Sequence, residues 1–179
     1  MMQNKRFGFT LVEILVVIAI ISILSGVIYA SFGDARADSR DKVRKTDMKQ
    51  LSLALELYKS QFGVYPEAGC GATTGWVGPG PGSVYPGCAE YIVDLAPEFI
   101  SELPVDPNQS NDPDSGYLYR VSAARDSYKV LVWRTVESNL ITDYADPFAR
   151  CPRSFGSSWC GAIPESTTYA IYSRGQEAN

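Results

Sequence analysis

The sequence predicts an α+β fold in which one long N-terminal helix packs on a small antiparallel sheet. Three observations support this fold class. An apolar run begins at Phe9 and continues into an amphipathic stretch, short strand-like patterns occupy the C-terminal half, and a Gly/Pro-rich segment with two cysteines lies between them. We therefore expect the first half of the helix to be transmembrane, its second half to be amphipathic, and the head to carry a disulfide-stapled loop.

The apolar run that follows Gly8 contains one charged residue, Glu13. A helix of about 20 residues rises about 1.5 Å per residue and can cross a hydrocarbon core of about 30 Å. A carboxylate inside such a segment costs several kcal/mol unless a partner compensates it, so an intramembrane acid indicates a function. Glu13 is therefore the first candidate functional residue.

Charges alternate in sign between Asp34 and Lys49. The pairs Asp38–Lys42 and Asp41–Lys45 have the spacing of four that stabilises a solvent-exposed helix. A basic contact with DNA or lipid is the alternative, but the net charge of -4 argues against nucleic acid as a partner. We expect a solvated, salt-bridged helix face.

An apolar stripe predicts the buried face of the second half of the helix. Gly63 and Pro66 then provide a stop signal, so the helix is predicted to run from Phe9 to about Phe62. The stripe recurs at spacings of three and four and consists of Met48, Leu51, Leu55, Tyr58 and Phe62.

Three strands are predicted in the head, at Tyr117–Val121, Tyr128–Val136 and Tyr169–Tyr172. Residues 122–127 are short enough to join the first two as a hairpin. A short helix is predicted at Tyr91–Leu95. The apolar stripe of the long helix is expected to cover one face of this sheet.

The chain has four cysteines, Cys70, Cys88, Cys151 and Cys160, all after the apolar run. Their spacing is not that of a zinc site, and an even number in an exported region indicates two disulfides. Three pairings are possible. The sequential pairing, Cys70 with Cys88 and Cys151 with Cys160, is favoured because each bond closes a short loop.

The loop from residue 106 to residue 116 is the candidate metal site. Asp106, Asp112 and Asp114 alternate with other oxygen-bearing side chains as in a calcium loop, although the loop lacks the glycine and the final glutamate of an EF-hand. A cluster of turn-forming residues is the alternative. Ca²⁺ is the one candidate cofactor.

The chain contains no histidine, which excludes histidine-based triads and metal sites. We expect no enzymatic activity. An ordinary signal peptide would have a shorter apolar stretch, and a plain single-pass anchor fits the length. Neither explains a carboxylate five residues after a glycine at the edge of the membrane.

The string from Gly8 to Glu13, GFTLVE, with Lys5 and Arg6 before it, resembles the cleavage and assembly motif of type IV pilins and type II secretion pseudopilins. The resemblance implies that a prepilin peptidase cuts between Gly8 and Phe9, that Phe9 is N-methylated, and that Glu13 directs assembly. The segments LELYKSQFGVYPEA and LPVDP are similar to parts of major pseudopilins.

The resemblance implies a leader at 1–8, a transmembrane and filament-core helix at 9–30, its amphipathic continuation at 31–62 and a head at 63–179. It implies a structural subunit of a pilin-like filament, of the major pseudopilin kind. The expected partners are copies of the chain, other pilin-like subunits, the peptidase, an inner-membrane assembly platform and membrane lipid. The expected location is the inner membrane and then a periplasmic or surface filament.

Two alternatives remain at this point. One is a type IV pilin for adhesion, motility or DNA uptake. The other is a membrane-anchored ligand-binding ectodomain that does not polymerise.

Overall fold

The structure, a computed structural model, describes residues 9–72, 75–80, 87–108, 115–151 and 166–173, with the backbone alone at 27–31. The chain divides into two compact units, Met1–Ala37 and Asp38–Asn179. Among the described residues, the regular elements are one helix and three strands: α1 (Leu11–Phe62), β1 (Gly116–Val121), β2 (Tyr128–Trp133) and β3 (Tyr169–Tyr172).

In the first unit, α1 carries large apolar side chains on all sides, and those described are exposed. Along the stretches that the structure describes, no helical segment meets the length and apolarity required to cross a membrane. The polar Ser22 hydroxyl donates to the Ile18 carbonyl at 2.7 Å, so its donor is satisfied within the helix.

In the second unit, the end of α1 confirms the predicted stop. Gly63 has φ +80°, the left-handed conformation that glycine adopts most easily, and its amide donates to the Lys59 carbonyl at 2.8 Å. Met48, Leu51, Leu55 and Tyr58 are buried as predicted.

Phe62 is the exception in the predicted stripe. It is 52% exposed and lies at the last position of α1, where its ring contacts Tyr58 and Phe99 at 4.5 and 6.1 Å between centroids. The helix ends before the head can cover the outer side of this ring.

The sheet has the order β1-β2-β3, and both pairs are antiparallel. The predicted hairpin is present, closed by the Ser122 amide donating to the Ser127 carbonyl at 2.9 Å. β2 ends at Trp133 rather than at the predicted Val136. Arg134 has φ +55° and its amide donates to Thr168 Oγ1, so the backbone leaves the extended conformation there.

The two faces of the sheet bury different clusters. The face toward α1 carries Tyr117, Tyr119, Tyr128, Val130 and Val132, which pack in one core with the apolar stripe. The opposite face carries a smaller cluster centred on Leu118, Leu131 and Ala170. The period of two along each strand thus separates the sides, as the sequence predicts.

The short helix predicted at Tyr91–Leu95 is wrong, since the segment forms turns. Asp94 has φ +57°, which interrupts a right-handed helix. Ile92 instead forms an antiparallel bridge with Ala68, and the Val93 amide donates to the Glu67 carbonyl at 3.0 Å.

The Cys70–Cys88 disulfide is present, with an S–S distance of 2.10 Å. The chain passes close to itself beside this bond, because a Cβ built on Gly69 would lie 1.8 Å from the Glu90 carbonyl oxygen. None of the described cysteines is free, and Cys151 is buried. Cys160, its predicted partner, lies outside the described residues.

Candidate assembly site

The first turn of α1 holds Glu13 in a capping box with Thr10. The Thr10 amide and hydroxyl each donate to Glu13 Oε2 at 2.8 Å, and the Glu13 amide donates back to the Thr10 hydroxyl at 3.3 Å. This reciprocal arrangement satisfies groups that a helix N-terminus otherwise leaves unpaired. The carboxylate also lies at the positive end of the helix dipole.

The capping box was not predicted from the sequence, although its signal is present. Thr10 followed by Glu13 before an apolar run is the sequence signature of this motif. Phe9 precedes the box and is 82% exposed, while Gly8 lies outside the described residues. The structure therefore gives Glu13 a local partner in an isolated chain and leaves the Phe9 side chain uncovered.

The surface around this turn is apolar. A shallow hollow of about 430 Å³ lies along the first two turns, between Phe9 and Ile18. A helix that is apolar on every side needs an apolar environment to cover it. The exposed large apolar side chains before residue 27 are Phe9, Leu11, Val12, Ile14, Leu15, Val16, Val17, Ile18, Ile20, Ile21, Ile23 and Leu24.

A second cluster of charged groups lies in the head, around the fully buried Arg44. Its Nε and Nη2 donate to the two oxygens of Asp106 at 2.9 and 3.0 Å, and its Nη1 donates to Asp41 at 2.6 Å. Glu137 accepts from Nη1 and Nη2 at 3.1 Å. The acids offset the desolvation of the guanidinium, and the pKa of Arg44 lies above its ordinary value despite burial.

Asp41 fastens the segment after β2 to α1. Its carboxylate accepts from the backbone amides of Glu137, Ser138 and Asn139 at distances between 2.7 and 3.2 Å. Burial raises the pKa of Asp41, but these three amides and Arg44 outweigh it and leave the pKa below its ordinary value.

This arrangement corrects the prediction of a solvated Asp41–Lys45 pair. Asp41 and Arg44 have no exposed surface and form the salt bridge instead, three residues apart. The other predicted pair, Asp38 with Lys42, is present on the surface at 2.6 Å. The spacing of charges along the helix could not show that residues 137–139 and Asp106, distant in the sequence, cover Asp41 and Arg44.

Asp106, the first of the three calcium candidates, is committed to protein partners. Besides Arg44, its carboxylate accepts from the Thr135 hydroxyl at 2.6 Å and from the Asn108 amide at 2.8 Å. Asp112 and Asp114 lie outside the described residues. Within the described ranges, no group of three or more acidic, cysteine or histidine side chains could hold a metal, so nothing here supports the Ca²⁺ prediction.

The N-terminal turn and the head thus differ in chemistry. The head surrounds its buried Arg44 with carboxylates, whereas the first unit presents an exposed apolar helix with a capped carboxylate in its first turn. These features define the class: a protein with an exposed apolar N-terminal helix followed by a separately packed α+β head.

Comparison with known proteins agrees with this class. Residues 3–29 match the family described as the prokaryotic N-terminal methylation motif. The chain is 33% identical over 66 residues to the type II secretion system core protein G of Pseudomonas aeruginosa, covering 37% of this chain and 46% of that protein. It is 29% identical over 119 residues to the protein of the same name from Vibrio cholerae serotype O1, covering 66% of this chain and 64% of that one.

These matches confirm the resemblance to pilin-like proteins and pseudopilins that the sequence predicts. The chain spans less than two thirds of the length of either relative. No solved structure matches the chain with significance.

Proposed function

We propose that this chain is a structural subunit of a type II secretion-like pseudopilus, of the major pseudopilin kind, and that it polymerises through its N-terminal helix. One observation carries the proposal. The match to the methylation motif, residues 3–29, overlaps the start of a helix whose described large apolar side chains are exposed there and whose first turn holds Glu13. We propose no catalytic role.

Processing by a prepilin peptidase would create a positive charge at the start of the helix. A cut between Gly8 and Phe9 creates a positively charged amine next to the exposed Phe9 side chain, and methylation of Phe9 leaves that charge in place. In surroundings of low dielectric constant, this amine and a carboxylate attract each other far more strongly than in water. The amine of an incoming copy can therefore pair with Glu13 of its neighbour.

The pairing sets the register of packing more than it adds stability. Two buried charges compensate each other's desolvation only in a good geometry, so a mismatched pair is disfavoured. The apolar side chains on either side of Glu13 would then pack helix against helix. Before assembly, residues 9–30 would lie in the inner membrane with the head outside, next to an assembly platform.

Replacement of Glu13 by alanine tests this proposal in the full chain. We expect membrane insertion to persist and polymer to fall at least tenfold, since loss of about 1.4 kcal/mol from each contact already reduces association tenfold. Asp34→Ala is the matched control, because Asp34 is an exposed carboxylate further along the same helix. The measurement is the amount of sedimentable polymer relative to membrane-inserted monomer.

Two results would contradict the proposal. Polymerisation of the Glu13→Ala chain at the wild-type level would remove the role of the carboxylate. A wild-type chain that stays monomeric in its membrane would instead indicate an anchored ectodomain that binds a ligand and does not polymerise.

A further inference from the structure

An apolar groove of about 550 Å³ lies in the head between α1 and the segment before Cys151. The helix lines it with Lys49, Ser52, Leu53 and Glu56, and the other side is lined by Pro147, Phe148 and Ile171. Leu53 is 64% exposed, and Leu57 one turn later is 49% exposed. The core of the head therefore does not use this side of α1.

Two lysines border the groove. Lys49 lies 6.0 Å from the centroid of the Phe148 ring, and Lys45 lies 5.7 Å from the same ring and 4.9 Å from that of Tyr169. Neither lysine forms a salt bridge with any residue that the structure describes. The groove thus combines an apolar lining with two lysines and one acid, Glu56, whose carboxylate accepts from the Tyr65 hydroxyl at 2.8 Å. The two lysines contact aromatic rings and form no salt bridge with Glu56.

The charges that match this groove occur on the same chain, in the turns between residues 87 and 103. Four carboxylates recur there at every fourth position, and all four are exposed. None of them forms a salt bridge with a described residue. They are Glu90, Asp94, Glu98 and Glu102, named here the acidic segment.

The groove and the acidic segment lie on opposite flanks of α1. Phe99, within the acidic segment, packs on Tyr58 and Phe62 with centroid distances of 5.3 and 6.1 Å. Tyr58 follows Lys49 by nine residues, and Phe62 follows Leu53 by nine. Nine residues are about two and a half turns of a helix with 3.6 residues per turn. The residues that contact Phe99 therefore lie about half a turn around α1 from those at the groove.

We propose that the groove binds the acidic segment of a second copy of this chain, with Lys45 and Lys49 facing the carboxylates. A contact between two different patches of one chain is heterologous, so it propagates into an open array instead of closing as a dimer. Charge complementarity fixes which patches meet. This contact presupposes the proposed polymerisation and adds a lateral interface between heads.

A reciprocal charge swap tests the contact in the full-length chain expressed in its membrane. The Lys45→Glu/Lys49→Glu chain places like charges opposite each other, and we expect about a tenfold fall in sedimentable polymer. The Asp94→Lys/Glu98→Lys chain should show the same fall. The chain with all four changes should recover at least half of the wild-type polymer, which simple damage to the fold would not produce.

Arg36→Glu is the matched control, because Arg36 is an exposed cation on α1 outside the groove, and we expect wild-type polymer from it. If the wild type polymerises and the combined chain recovers nothing, the contact is excluded while the proposed function stands. If the wild type is neither cleaved nor polymerised, the proposed function fails and the contact fails with it.

A cross-linking pair gives a second, independent readout. Leu53→Cys and Glu98→Cys on one chain should form a disulfide ladder that extends beyond dimers under mild oxidation. Leu53→Cys with Asp143→Cys is the control pair, because Asp143 is an exposed acid outside the acidic segment. Equal ladders from both pairs, or dimers alone from the first, would contradict the contact.

Discussion

At the scale of single residues, the head is organised around one cation that has no exposed surface. Arg44 lies on α1, while two of its carboxylate partners, Asp106 and Glu137, come from segments more than sixty residues away along the chain. Because the guanidinium N–H groups are fixed in one plane, they donate to these carboxylates only in a limited set of geometries. Arg44 therefore determines where the segments around residues 106 and 137 meet the helix.

Replacing Arg44 by leucine should destabilise the head by about 3–5 kcal/mol, since the change leaves the Asp41 and Asp106 carboxylates buried without their cation. The measurement is the free energy of unfolding of the full chain in detergent, from denaturant titration. Arg40→Ala is the control. Arg40 also binds Glu137, but its side chain is 31% exposed, and partly exposed pairs contribute about 1 kcal/mol or less. Equal losses from both variants would contradict the account.

The same cluster predicts that acid destabilises the head. The hydrogen bonds from Arg40 to Glu137, and the three backbone amides on Asp41, hold both folded-state pKa values below those of unfolded acids, which are about 3.9 for Asp and 4.3 for Glu. A lowered folded pKa stabilises the fold above the unfolded value, and the contribution disappears as the pH falls through the folded value.

We therefore expect the unfolding midpoint to be level above about pH 5 and to fall as the pH drops below about 4. Denaturant titrations at pH values from about 7 down to about 3 measure both the level region and the decline. Asp41→Asn should start from a lower midpoint and show a shallower decline. A wild-type midpoint that rises on acidification would contradict the assignment of these two carboxylates.

At the scale of elements, the sequence allowed prediction wherever the local pattern decides the structure. β3 has the predicted bounds, and α1 ends at Phe62 with Gly63 after it as predicted. Two element predictions in the head fail, the short helix at residues 91–95 and the C-terminal end of β2, and both fail where a non-glycine residue adopts a positive φ: Asp94 and Arg134. Side-chain periodicity carries no information about such a backbone reversal.

The candidate sites were predictable to different degrees. Glu13 could be selected because one charge in an apolar run is visible without a structure. The Arg44 cluster could not, since its carboxylates are scattered among surface-like charges and only the fold brings them together. For Asp106, the alternation of oxygen-bearing residues favoured a metal ligand. Its carboxylate instead accepts two hydrogen bonds from Arg44, which is distant in the sequence.

The Cys70–Cys88 bond closes a loop between α1 and the sheet. The two cysteines are 18 residues apart, and closing a loop of this length contributes about 3 kcal/mol. The Cys70→Ser/Cys88→Ser chain should lose about this much free energy of unfolding in denaturant titration. Reductant should lower the free energy of unfolding of the wild type more than that of this variant. Unchanged stability would show that packing alone orders this loop.

At the scale of the whole molecule, the two units differ in whether their apolar side chains are buried. The unit Asp38–Asn179 buries its apolar residues in one core and surrounds the buried Arg44 with carboxylates of its own. The unit Met1–Ala37 exposes apolar side chains that its own residues do not cover. These apolar side chains leave water only when lipid or other copies of the chain cover the helix. We propose that the helix passes from the lipid into a polymer of such copies.

Intact-mass spectrometry of the full-length gene product, isolated from its own membrane, tests the central claim most directly. The account predicts a chain that begins at Phe9, lacks residues 1–8 and carries one added methyl group on its new amine. A product that keeps Met1 and the leader, while its polymers form normally, would contradict the claim that processing creates the charge with which Glu13 pairs.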